Sequence, residues 1–579
     1  MIQNPLVVIL TSLVAGILAG ESGVSPLWSA LPTGGGILSY ALMAYASRTR
    51  RRKLKLARFH PLWVALLFGG IGMFADSLAL PTDIPDQTDR HVRMSGRVEE
   101  VTSTNLGERI LLDISHIASA DPASALRRYG KEGKRVNMKA YVHSRNARVS
   151  RGDLIELPAT LQALDPGDSV FGDMNRMLRR KGILYRTFVS SSDILATGKR
   201  TGLSDLASEW RSRLEDFIIA STLSYPTKKF LISLTLGDKE FLSSDDRREF
   251  ADAGVAHILA VSGMHVGIVA SIVLLLLYPV NFAGAYKWRY GLAIPAVWFF
   301  VWLSGMAPGT VRAGIMISFY LGSLILERRH SPLRALGWAA VIILIVSPRS
   351  IYDVGFQLSF LCVGSLILFV QPLNTVNQRT HPHLYRLNGL LLVTLVASIS
   401  SWIVSSYYFH QISLLFLPAN LIAVPLLPFF VGAFALYLLL WSLGLPAVWL
   451  GKVLDGGYEL FCRLVAAVSE QHATVTDLSV GLPTVLLWLG ALLTAAVFLH
   501  SQDKKRRRYN FIISLALVVS TLVSIPFFCE KQPPRHDKPA RSSQHPSAIS
   551  RNVMPSEKYS MKGASPSKGR ISHPLTYPC

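Results

Sequence analysis

Charge is the first thing this sequence lacks. Charged residues make up 17% of its 579 positions and hydrophobic ones 50%, against roughly 25% charged in an average soluble protein. A mean hydropathy of +0.34 agrees. The shortage excludes an ordinary soluble globule and points to an integral membrane protein. Cysteine is also scarce: Cys362, Cys462, Cys529 and Cys579 are widely scattered and no C-x-x-C pair occurs. That excludes a disulfide framework and a zinc site of the usual spacing, so no metal or other cofactor is expected. Acid is the rarer charge, with 37 Asp and Glu against 59 Lys and Arg, a net +22. Basic cytoplasmic loops account for such an excess through the positive-inside bias, and a polyanion partner does so equally well. Composition alone leaves both open.

The apolar runs set the organisation. Segments at about 5–20, 26–46 and 61–80 open the chain. The first has no basic stretch before it, so it reads as a retained helix rather than a cleaved signal. Residues 47–58 carry seven basic residues and no acid, which puts that loop in the cytoplasm and the chain outside the membrane at Pro81.

Between 82 and 200 no run reaches the roughly 20 apolar residues a spanning helix needs. Short alternating stretches appear instead at 91–98, 109–114, 136–142 and 154–157. Alternation punctuated by turn residues predicts a small OB-like β-barrel, outside the cytoplasm. A basic cluster follows, Arg176, Arg179, Arg180, Lys181 and Arg186. It is a candidate DNA-binding track, weighed against a plain solvated helix face. Residues 201–254 read as surface helices leading to the membrane.

From 255 to 529 apolar segments succeed one another at about 255–279, 288–304, 309–326, 335–347, 353–370 and 387–408, then 412–441, 480–500 and 511–528. Residues 446–470 are amphipathic, suited to an interface or a wet interior. The basic groups at 327–334 and 504–508 fall on the cytoplasmic side by helix parity and by charge together. Gly, Pro and Asn interrupt the runs at Pro308-Gly309, Gly355 and Pro418 to Pro428. Breaks of this kind are expected where backbone lines a cavity. The tail, 530–579, has eight prolines, nine serines and nine Lys or Arg, a composition that does not fold. Parity puts it outside and its basicity argues for inside.

Within this frame the stretch His257 to His265 stands out. It places His257, Ser262 and His265 in or beside a segment otherwise suited to hydrocarbon, where polar groups are costly and face a partner or a wet path. Read as one helix, Ser262 lies about 140° and His265 about 80° around from His257, and Gly263 admits a close neighbour. The plain alternative is a set of helix caps and interhelical bonds.

Three segments carry a resemblance. Asp252-Ala-Gly-Val-Ala-His-Ile-Leu-Ala-Val-Ser-Gly-Met-His-Val-Gly267, Ser304-Gly-Met-Ala-Pro-Gly-Thr-Val-Arg-Ala-Gly314 and Tyr352-Asp-Val-Gly-Phe-Gln-Leu-Ser-Phe360 are similar to segments of the ComEC-type competence proteins, DNA-internalisation channels of the bacterial inner membrane. The order of parts is similar too, over roughly residues 1–500. The resemblance implies a polytopic α-helical membrane protein of about 10–13 transmembrane helices with an inserted extracytoplasmic OB-like β-barrel domain, and passage of single-stranded DNA. His257, Ser262, Gly263, His265, Arg312 and Gln357 stand at matching positions and are the expected translocation path. Implied partners are the lipid bilayer and separate competence proteins: a DNA receptor, a nuclease and a cytoplasmic helicase. A homo-oligomer is left open. Longer members of the family carry a metallo-β-lactamase-like domain. This chain shows no His-x-His-x-Asp-His run, so any nuclease is expected in another protein and no catalytic residue here. Two other readings are a transporter for a different anionic solute and an intramembrane hydrolase using Ser262 with His265 or His257.

Overall fold

The computed structural model describes residues 5–20 and 60–79, most of 91–237, most of 249–374, most of 385–527, and Glu530 and Lys531. The apolar segment 26–46, the basic loop 47–58, Arg176, Arg180, Lys181 and the tail from 532 lie outside the described residues.

Among the described residues two helices come first, α1 (Pro5–Gly20) and α2 (His60–Ala79). They pack backbone to backbone. A Cβ on Gly16 would sit 1.9 Å from the Gly69 carbonyl oxygen, and one on Gly72 would sit 2.4 Å from that of Leu13. Small residues allow this approach where apolar lipid gives helices no hydrophobic reason to associate. Ile9, Leu13 and Ile17 of α1 then join Val341, Leu344 and Phe356 in one buried cluster, tying the N-terminal pair to the later helices.

Among the described residues, 91–199 form one seven-stranded sheet: β1 (His91–Thr104), β2 (Gly107–Ser119), β3 (Lys134–Ser144), β4 (Asp153–Thr160), β5 (Gln162–Ala163), β6 (Ile183–Phe188) and β7 (Leu195–Lys199). Its order is β5-β6-β3-β2-β1-β4-β7. All pairs are antiparallel except β3 with β6. Alternate residues point inward: Val92, Met94 and Val98 of β1, Ile110, Leu112 and Ile114 of β2, and Ala140 and Val142 of β3 form the core. The alternation read from the sequence therefore identifies the buried face. The strands themselves differ from the four short stretches read at 91–98, 109–114, 136–142 and 154–157. Three run 11 to 14 residues, because cross-strand ladders extend pairing through the polar residues between apolar stretches. The ladder does not close into a ring. Only Leu161, fully buried, separates β4 from β5.

Two helices follow, α3 (Leu203–Ile219) and α4 (Tyr225–Leu236). The membrane-type part contains α5 (Gly263–Leu276), α6 (Tyr286–Leu303), α7 (Pro308–Ile325), α8 (Pro332–Val346), α9 (Val354–Ser365, extended by a π turn to Val370), α10 (Tyr385–Phe409), α11 (Phe416–Ser442), α12 (Val448–Ser469), α13 (Leu482–His500) and α14 (Lys504–Phe527). Proline stands in the first turn of α4, α7, α8 and α13, where its missing N–H costs nothing. Among the described residues, four apolar stretches are long enough to cross a bilayer: Val354–Asn374, Leu391–Phe409, Pro418–Ser442 and Leu482–His500. Leu6–Gly20, Val64–Ser77, Gly263–Leu276 and Pro332–Val346 are shorter apolar helices. The chain is thus a membrane-type helical protein with a mixed β domain.

Two expectations are corrected here. Pro425 and Pro428 do not break the 412–441 run, since α11 is continuous through both; an apolar helix in lipid has no competing water to take up the freed carbonyls. Lys504 to Arg508 form the first turns of α14 rather than a separate loop.

The α1–α2 contact yields a direct expectation. Gly16→Leu forces apart two backbones already in contact, costing about 1–3 kcal/mol or more, while Gly322→Ala meets nothing within 4 Å. Membrane levels and thermal stability in detergent should fall for Gly16→Leu only. Equal behaviour of the two variants would show that the α1–α2 seam does not hold the N-terminal helices.

Candidate functional site

The site begins where the chain enters the membrane-type helices. The sequence suggests one apolar helix over 255–279, and the structure does not form it. Gly254 takes a left-handed φ of +77°, Ala256–Leu259 is a 3-10 turn, and Ser262 is extended at φ −119°, ψ 175°. The helix starts only at Gly263. His257 is accordingly exposed on the short turn while His265 is buried at 1% exposure, so His257, Ser262 and His265 do not share a helical face. The cause is local. Ser262 caps α5, its Oγ accepting from the Met264 N–H at 3.3 Å. His265 reaches back, its Nδ1 accepting from the Ser262 N–H at 3.1 Å. This reciprocal arrangement satisfies two donors that a helix start otherwise leaves orphaned. Two outside groups hold the entry segment: Ser233 Oγ donates to the Leu259 carbonyl at 3.0 Å, and Asn420 Nδ2 to that of Gly254 at 3.4 Å.

Gly263 then meets α7. A Cβ there would lie 3.2 Å from Ala313 Cβ and 3.9 Å from the Gly309 carbonyl oxygen. Arg312, 9% exposed, turns from the same end of α7 towards α9, where its Nη1 pairs with Asp353 Oδ2 at 3.2 Å. Asp353 is also the N-cap of α9, accepting from the Phe356 N–H at 3.1 Å. A Cβ on Gly355 would come within 2.9 Å of Arg312 Nη2, so glycine makes room for the guanidinium. One turn on, Gln357 is held at both ends: its Nε2 donates to the Ile351 carbonyl at 2.8 Å, and its Oε1 accepts from the Tyr408 hydroxyl of α10 at 2.7 Å.

The N-terminal ends of α5, α7 and α9 therefore meet, each supplied by one of the three segments singled out in the sequence. Ser262, Gly263, His265 and Arg312 are brought together, Gln357 flanks them on α9, and His257, on its own short turn with an accessible side chain, stays within electrostatic reach of His265. Helix N-termini carry partial positive charge, and the guanidinium adds to it. Buried His265 Nε2, Arg312 Nε and Asn420 Oδ1 have no hydrogen-bond partner. The locus can hold or pass an anion. It is poorly arranged as a Ser–His nucleophile pair. Ser262 Oγ lies 3.1 Å from His265 Nδ1, but that lone pair already accepts the Ser262 N–H, whereas a general base needs it free for the hydroxyl proton.

Sequence reasoning passed over Asp353, Tyr408 and Asn420 as site residues. Asp353 had a usable signal, a cap-type residue at the head of an apolar helix. Tyr408 had none, because its contact spans 51 positions between two helices. Of the basic cluster, Arg179 donates to the Leu164 carbonyl at 3.4 Å and Arg186 lies on β6 between Gln162 and Tyr141; the other three lie outside the described residues.

Comparison with known proteins bears on the same region. Residues 234–503 match the family model "Competence protein", a span that includes every residue of the helical site. Over this span, just under half of its length, the chain is similar to the competence proteins. It is 30% identical over 227 residues to ComE operon protein 3 of Bacillus subtilis, covering 36% of this chain and 26% of that one. It is 27% identical over 217 residues to the uncharacterized protein YcaI of Escherichia coli, covering 35% and 28%. Recombination protein 2 of Haemophilus influenzae is 26% identical over 218 residues, covering 34% and 26%. The matched part thus spans about a quarter of the length of these relatives. No solved structure matches.

The Arg312–Asp353 pair can be tested by a double-mutant cycle. Asp353→Ala leaves a buried charge uncompensated and should cost more than the double variant Arg312→Ala/Asp353→Ala. A coupling of roughly 0.5–3 kcal/mol is expected, read from thermal unfolding in detergent. Additive effects would mean that the pair does not join α7 to α9.

Proposed function

We propose that this protein is an inner-membrane channel through which single-stranded DNA enters the cytoplasm during natural transformation. The observation that carries the reading is the meeting of three helix N-termini around Arg312 and His265. It offers a polyanion attraction from partial charges and unpartnered donors, beside the Arg312–Asp353 pair. The printed names of the relatives, a ComE operon protein and a recombination protein, favour DNA over another anionic solute.

In this reading about 10–13 helices span the membrane, and the loops 47–58 and 327–334 and the basic first turns of α14 at 504–508 face the cytoplasm. The β domain lies outside as an OB-type barrel. Support for the barrel comes from β4 and β5, which act as one strand bent at Leu161. They stand near one end and at the other end of the sheet order, so the sheet curls back on itself; the parallel β3–β6 pair suits the same topology. Arg186 of the basic cluster, on β6, belongs to its DNA-facing side. A separate receptor, nuclease and helicase deliver, cut and pull the strand.

Deleting the gene should abolish entry of DNA into the cytoplasm while uptake at the cell surface persists. Alanine at His257, Ser262, His265, Arg312 and Gln357 should give graded, partial losses of transformation at normal membrane levels, because a pore spreads its contacts over many residues. A hydrolase would instead fail completely and selectively at Ser262→Ala. Five variants all equal to wild type would defeat the polar path.

Reporter fusions test the orientation. Alkaline phosphatase should be inactive when fused at Lys53 and active at Gly130. The reverse result inverts the topology and removes the outer barrel from the pathway.

A further inference from the structure

The outer face of the β domain carries a group of side chains that the helical site does not use. Along β3 the residues pointing away from the core are Lys139, Tyr141 and His143, alternating with buried Ala140 and Val142. Tyr141 pairs across the parallel ladder with Arg186, and His143 with Phe188. On the other side His143 faces Arg109 of β2. The His143 and Phe188 rings stack at 5.0 Å with 25° between planes. Tyr141 lies 6.4 Å from His143, and the Arg109 guanidinium sits 4.8 Å over the Tyr141 ring.

Three properties of this group go together. Phe188 is 64% exposed, a large apolar ring presented to solvent on a strand whose neighbours Tyr185 and Thr187 are buried. Among the described residues neither Arg109 nor Arg186 pairs with a carboxylate, and the Nε of each has no acceptor. The opposite end of the face is different: Lys139 is neutralised by Glu99 at 2.6 Å. Bare positive charge is therefore confined to the aromatic end. His143 is held below the ordinary histidine range, first by burial and then by Arg109 and Arg186, which keeps its ring neutral and suited to stacking.

We propose that Tyr141, His143 and Phe188, flanked by Arg109 and Arg186, form a stacking platform for the unpaired bases of a single nucleic-acid strand. The chemistry fits one occupant. Aromatic faces accept any base without reading its edge, and guanidinium groups take the phosphates beside them. In a duplex the base faces are covered by their own neighbours, so the platform selects single strands over double. The inference rests on the channel reading for its purpose and adds to it the place where strand type is distinguished. That place is the β2–β3–β6 face rather than the segment 176–181.

The test uses the full chain in detergent and a fluorescent oligothymidine of about 16 nucleotides, the upper site size of one OB fold. An abasic strand of equal length and a duplex serve as comparisons. Phe188→Ala should weaken oligothymidine binding about 5- to 150-fold, leave the abasic strand unaffected and narrow the preference over duplex. Phe188→Trp should retain binding. Arg186→Gln should weaken both strands and reduce the salt slope by roughly 0.7. Because Phe188 is exposed, its truncation removes little packing. The platform is overturned if Phe188→Ala binds oligothymidine as wild type does, if the abasic strand loses as much, or if the wild-type chain binds no single strand. The channel reading is scored separately by transformation. Normal binding in a strain whose transformation survives deletion sinks the channel and leaves the platform. Dependence on the gene with no effect of Phe188→Ala on binding does the opposite.

Discussion

A guanidinium among apolar helices must be met by something, and in this protein Asp353 meets it. Arg312 and Asp353 are 11% and 26% exposed along their side chains, and an isolated charge in such surroundings is costly. Asp353 supplies the counter-charge while capping α9, so the position of that helix start is fixed by the charge on α7. Gly355 follows from the same constraint, since a side chain there would collide with the guanidinium. On the other flank, the Gly263–Ala313 contact sets α5 against α7. The three turns of chain become one locus because a single buried charge requires it.

Apolar runs made most helices legible in the sequence, because any segment long enough and greasy enough for lipid must satisfy its own backbone bonds. Legibility fails where polar side chains compete with that rule. Ser262 and His265 read as helix interior by hydropathy, yet their side chains bond the backbone and stop the helix at Gly263. Hydropathy sees their cost and not their partners. The reverse error occurs at Pro425 and Pro428, where the residue type suggests a break that the apolar environment does not permit.

The β domain shows a different limit. Alternation identifies which residues point inward, and the core contains them. It says nothing about which strand lies beside which. Arg186 was legible as one of five basic residues in a row of sequence, but its neighbours are Tyr141 and Gln162 on other strands. Phe188 drew no notice in the sequence because a lone phenylalanine in a β stretch is ordinarily core. Only the register, which puts buried Thr187 beside it, turns it outward.

On the proposed reading, the two sites divide the recognition of a polyanion in a way that charge alone could not. At the helical locus the positive character comes from helix ends and one compensated arginine. On the proposed reading that weakness is useful, because a strand must enter each position favourably and still leave it. A ring of unpaired arginines would hold phosphate too firmly to let it pass. The outer face has the complementary design: two unpaired guanidinium groups and exposed rings, suited to capture and to distinguishing unpaired bases. If both proposals hold, strong, strand-selective contacts sit where the polymer is first held, and weak, charge-based ones sit where it must move. Exchanging the two would produce a pore that binds and does not conduct.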